Sequence, residues 1–404
     1  MYLSSVRSTD PARPAGRTKH AVPATVLGLG VVSLITDMSA EMVTAVLPMY
    51  LVYGLGVGYL QLGAIDGLYT GATALLRLAG GWFADRLGRP KAVALVGYGL
   101  SAATKLAFPA AGSSVGAIGL VIGADRAGKG IRTAPRDAMI TLATPADGLG
   151  RAFGVHRAMD TAGALLGPIV AFGLLTVLVG DYPAVFGVSF CLAVIAVIVL
   201  AVFVRAPGGA AERSRVRLRA GFALLRLPGL RGTCLAAALL GVCTVGDMFL
   251  FVGVQQSAGL PPAALPLLPL ATALAFMALA SPIGRVADRV GRWKVFLAGH
   301  LVLLAAYVVL AASASGWPVA AVVLTAHGVF YACTDGVLMA HAAPLVPESL
   351  RATGLAFVQT GQSLARAAGA VLFGALAAGT SLRPAFAVFA VVMLVSVLAG
   401  TRVK

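Results

Sequence analysis

Charged side chains are scarce in this sequence. Asp, Glu, Lys and Arg make up 11% of its 404 residues, against about 25% in an ordinary soluble domain. Acid is scarcer than base, with 15 Asp and Glu facing 31 Lys and Arg. Cysteine is nearly missing. Cys191, Cys234, Cys243 and Cys333 each lie inside an apolar run, none at metal-ligand or redox spacing, so they read as small buried hydrophobes and give neither a disulfide framework nor a metal site. No nucleotide-binding loop, hydrolase metal motif or nucleophile–base spacing is present. No long hydrophilic stretch is left over for a soluble domain. A membrane-embedded enzyme or a receptor is therefore the remote reading.

Hydrophobic residues are abundant, at 59% of the chain. A membrane-crossing helix needs about 20 predominantly apolar residues. Twelve segments qualify: 24–54, 58–83, 91–111, 114–135, 152–179, 183–204, 232–256, 261–283, 294–314, 317–341, 352–378 and 383–401. Residues 1–22 carry Arg7, Arg13, Arg17 and Lys19 without an apolar core. They read as a disordered basic cytoplasmic tail, not a cleavable signal peptide. Residues 205–231 hold seven arginines and split the chain into two six-segment bundles, 23–204 and 232–404. This basic stretch reads as a cytoplasmic linker.

The two halves repeat. Gly81, Asp85, Arg86, Gly88, Arg89 and Lys91 spell G-x-x-A-D-R-x-G-R-x-K, and the pattern returns with Gly284, Asp288, Arg289, Gly291, Arg292 and Lys294, half the chain later. Each copy is a short basic hairpin between apolar segments. With the N-terminus inside, almost every basic loop residue falls on the cytoplasmic side. These include Arg132, Arg136, Arg151, Arg285, Arg351 and Arg402, and on the outer side only Arg383 stands out. That bias places both termini in the cytoplasm. It also accounts for the formal charge of +16 without nucleic acid.

The hairpins resemble the signature loops of the major facilitator superfamily, between its second and third and its eighth and ninth helices. The resemblance implies an all-α membrane protein, with twelve transmembrane helices in two six-helix bundles related by internal duplication. It also implies a mid-membrane cavity lined by helices one, four, seven and ten. The first hairpin would then act as a gate. Only when the inner gate is closed would Asp85 sit against the N-terminus of segment eleven near Arg351, and Arg89 pair with Asp137.

An ionised group at mid-membrane costs at least ~2.5–3.5 kcal/mol on insertion scales, so each must face water or a partner. Ser33, Asp37, Glu41 and Thr44 share one stripe of segment one, and Asp66, Thr70, Thr73 and Arg77 share one of segment two. Lys105 reads as structural. Arg126 and Gly130 resemble the family's fourth-helix R-x-x-Q-G motif, with Lys129 in place of glutamine. Asp125 and Lys129, at i and i+4, are placed to neutralise each other. Gly154, Gly163, Gly167 and Pro168 reproduce most of the antiporter motif G-x8-G-x3-G-P, although Ala171 and Phe172 stand where it ends in two glycines. Arg157 and Asp160 read as a structural pair. In the second half the polar residues are Asp247, Gln255 and Gln256 on segment seven, and His327, Tyr331 and Asp335 on segment ten. Segment eleven adds Gln359, Gln362, Ser363 and Arg366.

The resemblance, closest to the drug:proton antiporter-like exporters, implies a secondary active transporter working by alternating access in the cell membrane. A small organic molecule would leave as protons enter. Asp37, Glu41, Asp66 and Arg126 are the proton-coupling candidates. Asp247, Gln255, His327, Tyr331, Asp335, Gln359, Gln362 and Arg366 are the substrate candidates. The expected partners are a small-molecule substrate, protons and the lipid bilayer, for a monomer with no cofactor beyond the proton gradient and no metal. An importer or an exporter of metal ions or chelates on the same fold is the alternative. The topology is testable. In a background lacking the native cysteines, Gly208→Cys should resist an impermeant thiol reagent in intact cells and react only after permeabilisation. Labelling of intact cells would overturn the orientation.

Overall fold

The computed structural model describes residues 22–87, 89–112, 114–145, 148–178, 181–205, 223–312, 314–347 and 350–402, without the side chains of 77–87, 134, 150, 228 and 351–353. The expected tail and most of the linker lie outside these residues. The first half holds α1 (Ala24–Met49), extended by a π-helical turn Tyr50–Gly54, and α2 (Tyr59–Leu87), α3 (Pro90–Ala110), α4 (Val115–Leu142), α5 (Leu149–Val177) and α6 (Tyr182–Val202). The second holds α7 (Pro228–Val242), α8 (Asp247–Ala258), a 3-10 turn Pro262–Leu267 and α9 (Leu268–Val290). It continues with α10 (Arg292–Ala311), α11 (Trp317–Thr334), α12 (Val337–Ala342), α13 (Arg351–Gly379) and α14 (Leu382–Gly400). Among the described residues, nine helical stretches are long and apolar enough to cross a membrane. The chain is a multi-pass, all-α membrane protein.

Local chemistry sets the ends. Ser114 caps α4 by accepting from the Ala117 N–H at 3.3 Å, and Asp181 caps α6 by accepting from the Ala184 N–H at 3.1 Å. Pro90 opens α3, where a missing N–H costs nothing. In the second hairpin α9 and α10 are separated by Gly291 alone, at φ 115°, a conformation that a side chain would resist.

Three features differ from the sequence expectation. Segment four does not end at 135, because α4 runs to Leu142 and carries Arg132 and Arg136 as helix residues rather than loop residues. Segment seven is broken: α7 ends at Val242 and α8 starts at Asp247. The Val245 N–H, which a continuous helix would use, donates instead to the Tyr307 hydroxyl at 2.7 Å. Segment ten breaks at Asp335 and Gly336, the latter at φ 80°, so Asp335 leaves the helical stripe of His327 and Tyr331.

Within the first half, α1 packs along α5 and α6, and α3 packs along α4 and α6. The α1–α5 contact is backbone against backbone. A Cβ on Gly163 would collide with the Leu34 carbonyl, and one on Gly167 would lie 2.7 Å from the Met38 carbonyl and 2.9 Å from the Met42 nitrogen. Small residues permit this approach where lipid supplies no hydrophobic drive between helices. A charge pair ties α3 to α4. Lys105 donates to Asp125 at 2.6 Å, both groups are buried, and Thr104 and Arg126 complete the carboxylate's shell. The expected Asp125–Lys129 pair is therefore replaced. Asp125 faces α3, whereas Lys129 acts on Glu41 of α1.

The halves meet at the end of the bundle away from the hairpins. Gly63 and Gly67 of α2 abut the Ala370 and Ala367 carbonyls of α13. Tyr53 donates to Gln255 across the same seam, and Tyr59 packs on Phe249 with ring centroids 6.5 Å apart.

Two stability predictions follow from these contacts. Gly163→Ala should cost about 1–3 kcal/mol, the usual range for overpacking. Gly154→Ala, where nothing lies within 4 Å of the added carbon, should be neutral. Asp125→Asn should cost about 3–5 kcal/mol by stranding Lys105, and Lys105→Met in the same chain should restore most of it. Thermal unfolding in detergent measures both. Equal losses for the two glycines, or no rescue, would refute the packing described here.

Candidate functional site

Between the halves lies a cavity of about 380 Å³. Its first-half wall presents Glu41, Thr44, Asp66, Tyr69 and Thr70, and its second-half wall presents Asp247, Phe251, Thr272, His327, Tyr331, Asp335 and Arg366.

The second-half wall is organised on Asp247, the first residue of α8, freed from the helix interior by the break before it. Tyr331 donates to its two carboxylate oxygens at 2.7 and 2.8 Å. Arg366 lies 3.4 Å from the same carboxylate and donates to the Tyr331 oxygen at 2.8 Å. His327 Nε2 stands 3.4 Å from Asp247, and its Nδ1 is 3.4 Å from the Thr272 hydroxyl. Phe251 meets the His327 ring edge-on at 5.8 Å. Helices α11 and α13 thus converge on the one carboxylate that α8 presents, and its charge is matched within the wall.

The first-half wall has a different balance. The Arg126 guanidinium bonds Asp125 and lies 4.1 Å from the centre of the Tyr69 ring. The Tyr69 hydroxyl is 3.1 Å from that of Thr44. Glu41 lines the cavity, and Lys129 and Arg126 are the cations that act on it. Asp37, one turn nearer the hairpins, leaves the cavity and meets Arg132 at 3.7 Å. Its carboxyl group faces that of Asp160 on α5. Arg136 reaches Asp160 at 3.7 Å and Asp137 at 3.0 Å, and Arg157 adds a contact to Asp160 at 3.4 Å. His156 bonds Ser33 at 2.9 Å.

This ladder was only partly expected. Arg126, Lys129, Arg132 and Arg136 follow one another at steps of three, three and four, which is one helical stripe. The signal was present, but placing Arg132 and Arg136 in a loop hid it. Asp160 was expected to pair locally with Arg157. It also joins α5 to α1 and α4.

A second cleft of about 220 Å³ opens between α2 and α13, lined by Tyr69, Thr70, Thr73, Gln359, Thr360 and Ser363. Among the described residues its lining carries no charged side chain, and it shares Tyr69 and Thr70 with the main cavity. Gln255 sits at the seam of the halves, bonded by Tyr53 and donating to the Leu260 carbonyl at 2.5 Å. Gln362 offers its carbonyl to the α7 contact at Gly241. Asp137 is bonded by Arg136, and its expected pairing with Arg89 belongs to the state with the inner gate closed. In the second hairpin Arg292 pairs with Asp288 at 2.8 Å and donates to the Ala340 carbonyl at 2.8 Å. The side chains of Arg77, Asp85, Arg86 and Arg351, like Gly88 itself, lie outside the described residues.

Comparison with known proteins agrees with this architecture. The family model described as Major Facilitator Superfamily matches residues 29–281 and again 250–403. An uncharacterized MFS-type transporter of Methanocaldococcus jannaschii is 29% identical over 346 residues, covering 82% of this chain and 83% of that protein. An uncharacterized protein of Mycobacterium tuberculosis is 34% identical over 186 residues, 46% of this chain and 43% of its own length. Among solved structures, a mutant of the nucleoside transporter NupG superposes with TM-score 0.82 at 16% identity, covering 94% of this chain and 99% of that one. A POT family transporter in complex with 5-aminolevulinic acid superposes with TM-score 0.77 at 14% identity, covering 95% and 96%. Two matched repeats, two helical bundles and a polar cavity between them make this chain a membrane transporter of the Major Facilitator Superfamily.

Proposed function

We propose that the protein is a proton-coupled antiporter that exports a small organic molecule across the cell membrane by alternating access. The hairpin side, both termini and the linker face the cytoplasm, in keeping with the basic residues on that side. With the halves joined at the opposite end, the described conformation is the inward-facing one.

The observation that carries this reading is Glu41, a carboxylate on the cavity wall whose helix neighbour Asp37 is tied into the charge ladder behind it. Two carboxylates one turn apart in a poorly solvated place cannot both ionise cheaply. Substrate and proton then bind with opposing preference, and that reciprocal linkage exchanges one for the other. A cavity of about 380 Å³ suits a drug-sized molecule, since ligand sites run from about 300 to 1,000 Å³. The α2–α13 cleft adds hydroxyl and amide groups for a polar, uncharged part of the substrate. The nucleoside and 5-aminolevulinic acid of the structural neighbours are small organic molecules and fit this class. The glycines of α5 that match the antiporter motif support export, because that motif is carried mostly by exporters.

In proteoliposomes, Asp37→Asn and Glu41→Gln should each abolish substrate accumulation driven by a pH gradient while keeping downhill exchange. Proton release on substrate binding should fall in both. Wild-type accumulation with unchanged pH dependence in both variants would refute the coupling role.

A further inference from the structure

Helices α2 and α13 face each other from opposite halves. Around α2, at about 3.6 residues per turn, three arcs follow in order. Asp66 and Thr70 line the cavity, Gly63, Gly67 and Gly71 meet α13, and Leu68 and Leu75 are exposed. Around α13 the order is the same. Arg366 and Ala370 line the cavity, Ala367 and Gly374 meet α2, and Leu364 and Leu372 are exposed. The contact face of each helix therefore lies between the cavity and the lipid. At the outer end, backbone contact closes that face. One turn nearer the hairpins, Ala74 continues the glycine arc of α2, and Ser363, Thr360 and Ala356 continue the facing arc of α13. These small residues leave a gap, and the cleft of about 220 Å³ opens there.

The lining of this gap is polar without being charged. Hydroxyl and amide groups come from Tyr69, Thr70, Thr73, Gln359, Thr360 and Ser363, and among the described residues no carboxylate or cation joins them. A hydroxyl on a membrane helix ordinarily turns back to the carbonyl four residues earlier. Thr44, Thr73 and Thr334 do so, at 3.0, 2.7 and 2.8 Å. The side chains of Thr70, Gln359, Thr360 and Ser363 have no hydrogen-bond partner among the described residues. Their capacity to donate and accept is thus available to a ligand in the cleft.

We propose that the cleft is a side entrance from the inner leaflet, and that it binds the uncharged, hydrogen-bonding head of an amphiphile that the protein carries. This inference deepens the transport reading above and rests on its orientation. A whole drug-sized molecule needs a site of about 300 Å³ or more. The cleft is smaller, so it takes the head, and the apolar remainder stays in the bilayer beside Leu75 and Leu364. Tyr69 and Thr70 line both spaces. The head can therefore pass from Thr360 and Ser363 to Thr70 and Tyr69, and then into the cavity, without losing its hydrogen bonds. A charged head finds no opposite charge in the described lining, and carrying it between the helices is costly. The entrance therefore selects neutral heads before the charged walls of the cavity are reached.

Three photoreactive amphiphiles test the assignment, each with the same single acyl chain and a diazirine beside the head. One head is glycerol, one a quaternary ammonium and one a sulfonate. The full chain is held in lipid nanodiscs, and labelled residues are read by peptide mass spectrometry. The glycerol probe should label α2 around Thr70 and Ala74, α13 around Thr360 and Ser363, and the cavity wall on α8 or α11. Excess unlabelled monoacylglycerol should compete. The two charged probes should label the cleft at least about tenfold less, given the cost of a charge within the membrane. Ser363→Leu fills the gap and should remove labelling of cleft and cavity together. Thr360→Val keeps the volume and deletes one hydroxyl, so it should fold normally and lose labelling several-fold. Gly154→Ala should label as the wild type does. Equal labelling by all three heads, no competition, or full labelling of Thr360→Val would overturn the site. Labelling of the cleft without the cavity would overturn the entrance. The measurement needs neither a pH gradient nor transport. Labelling as expected without proton-driven export would therefore remove the coupling reading and leave the entrance standing, and the reverse result would remove the entrance alone.

Discussion

An ion buried in a membrane bundle must find a partner of opposite sign or reach water, because stranding one member of a buried pair costs about 3–5 kcal/mol. The placement of side chains in this transporter follows from that constraint. Lys105 and Asp125 satisfy each other between α3 and α4. The stripe of cations on α4 is spread over Asp125, Glu41, Asp37 and Asp160 from three helices. Asp247 takes Tyr331, Arg366 and His327. Glu41 also reaches the cavity wall, and Asp66 lies at the seam between the halves. Each sits where movement of the halves would change what surrounds it.

The same packing device serves two purposes. Between α1 and α5, glycines press backbone on backbone inside one half, and the surrounding charge network of Asp37, Asp160, Arg132 and Arg136 locks the contact. Between α2 and α13, Gly63, Gly67 and Gly374 make a similar contact across the halves. Around these glycines the two helices meet largely through backbone atoms and small side chains. A seam made by van der Waals contact of small residues, with Asp66 and Tyr53 as its polar pins, can open and close at modest cost.

The halves share a fold and divide the chemistry. The first half concentrates its ionisable groups behind the cavity, reaching it through Glu41 and the Arg126–Tyr69 pair. The second places a closed cluster around Asp247 on the opposite wall. Helix breaks occur in this second half, before Asp247 and at Asp335, where a released backbone can carry ligand-facing groups without leaving lipid-exposed polar atoms.

Much of this was legible in the residues alone. Twenty-residue apolar runs, the two copies of the hairpin motif and the glycine spacing of α5 are local patterns, and each follows from the period of a helix or the dimensions of a bilayer. They specified an all-α membrane transporter of this family and which helices would carry polar groups. Tertiary structure decided the partners. Asp125 chooses Lys105 over Lys129, although Lys129 is four residues away in sequence, because the rotation of α4 points the carboxylate at α3. Arg132, Arg136 and Asp160 become one network only once α1, α4 and α5 are side by side. The break before Asp247 has no proline to announce it. It exists because Tyr307, 62 residues away, receives the Val245 N–H and because Asp66, from the other half, occupies the space beside Gly246. Periodicity assigns a residue to a face of its helix, whereas the partner it meets depends on how distant helices are rotated and seated against one another.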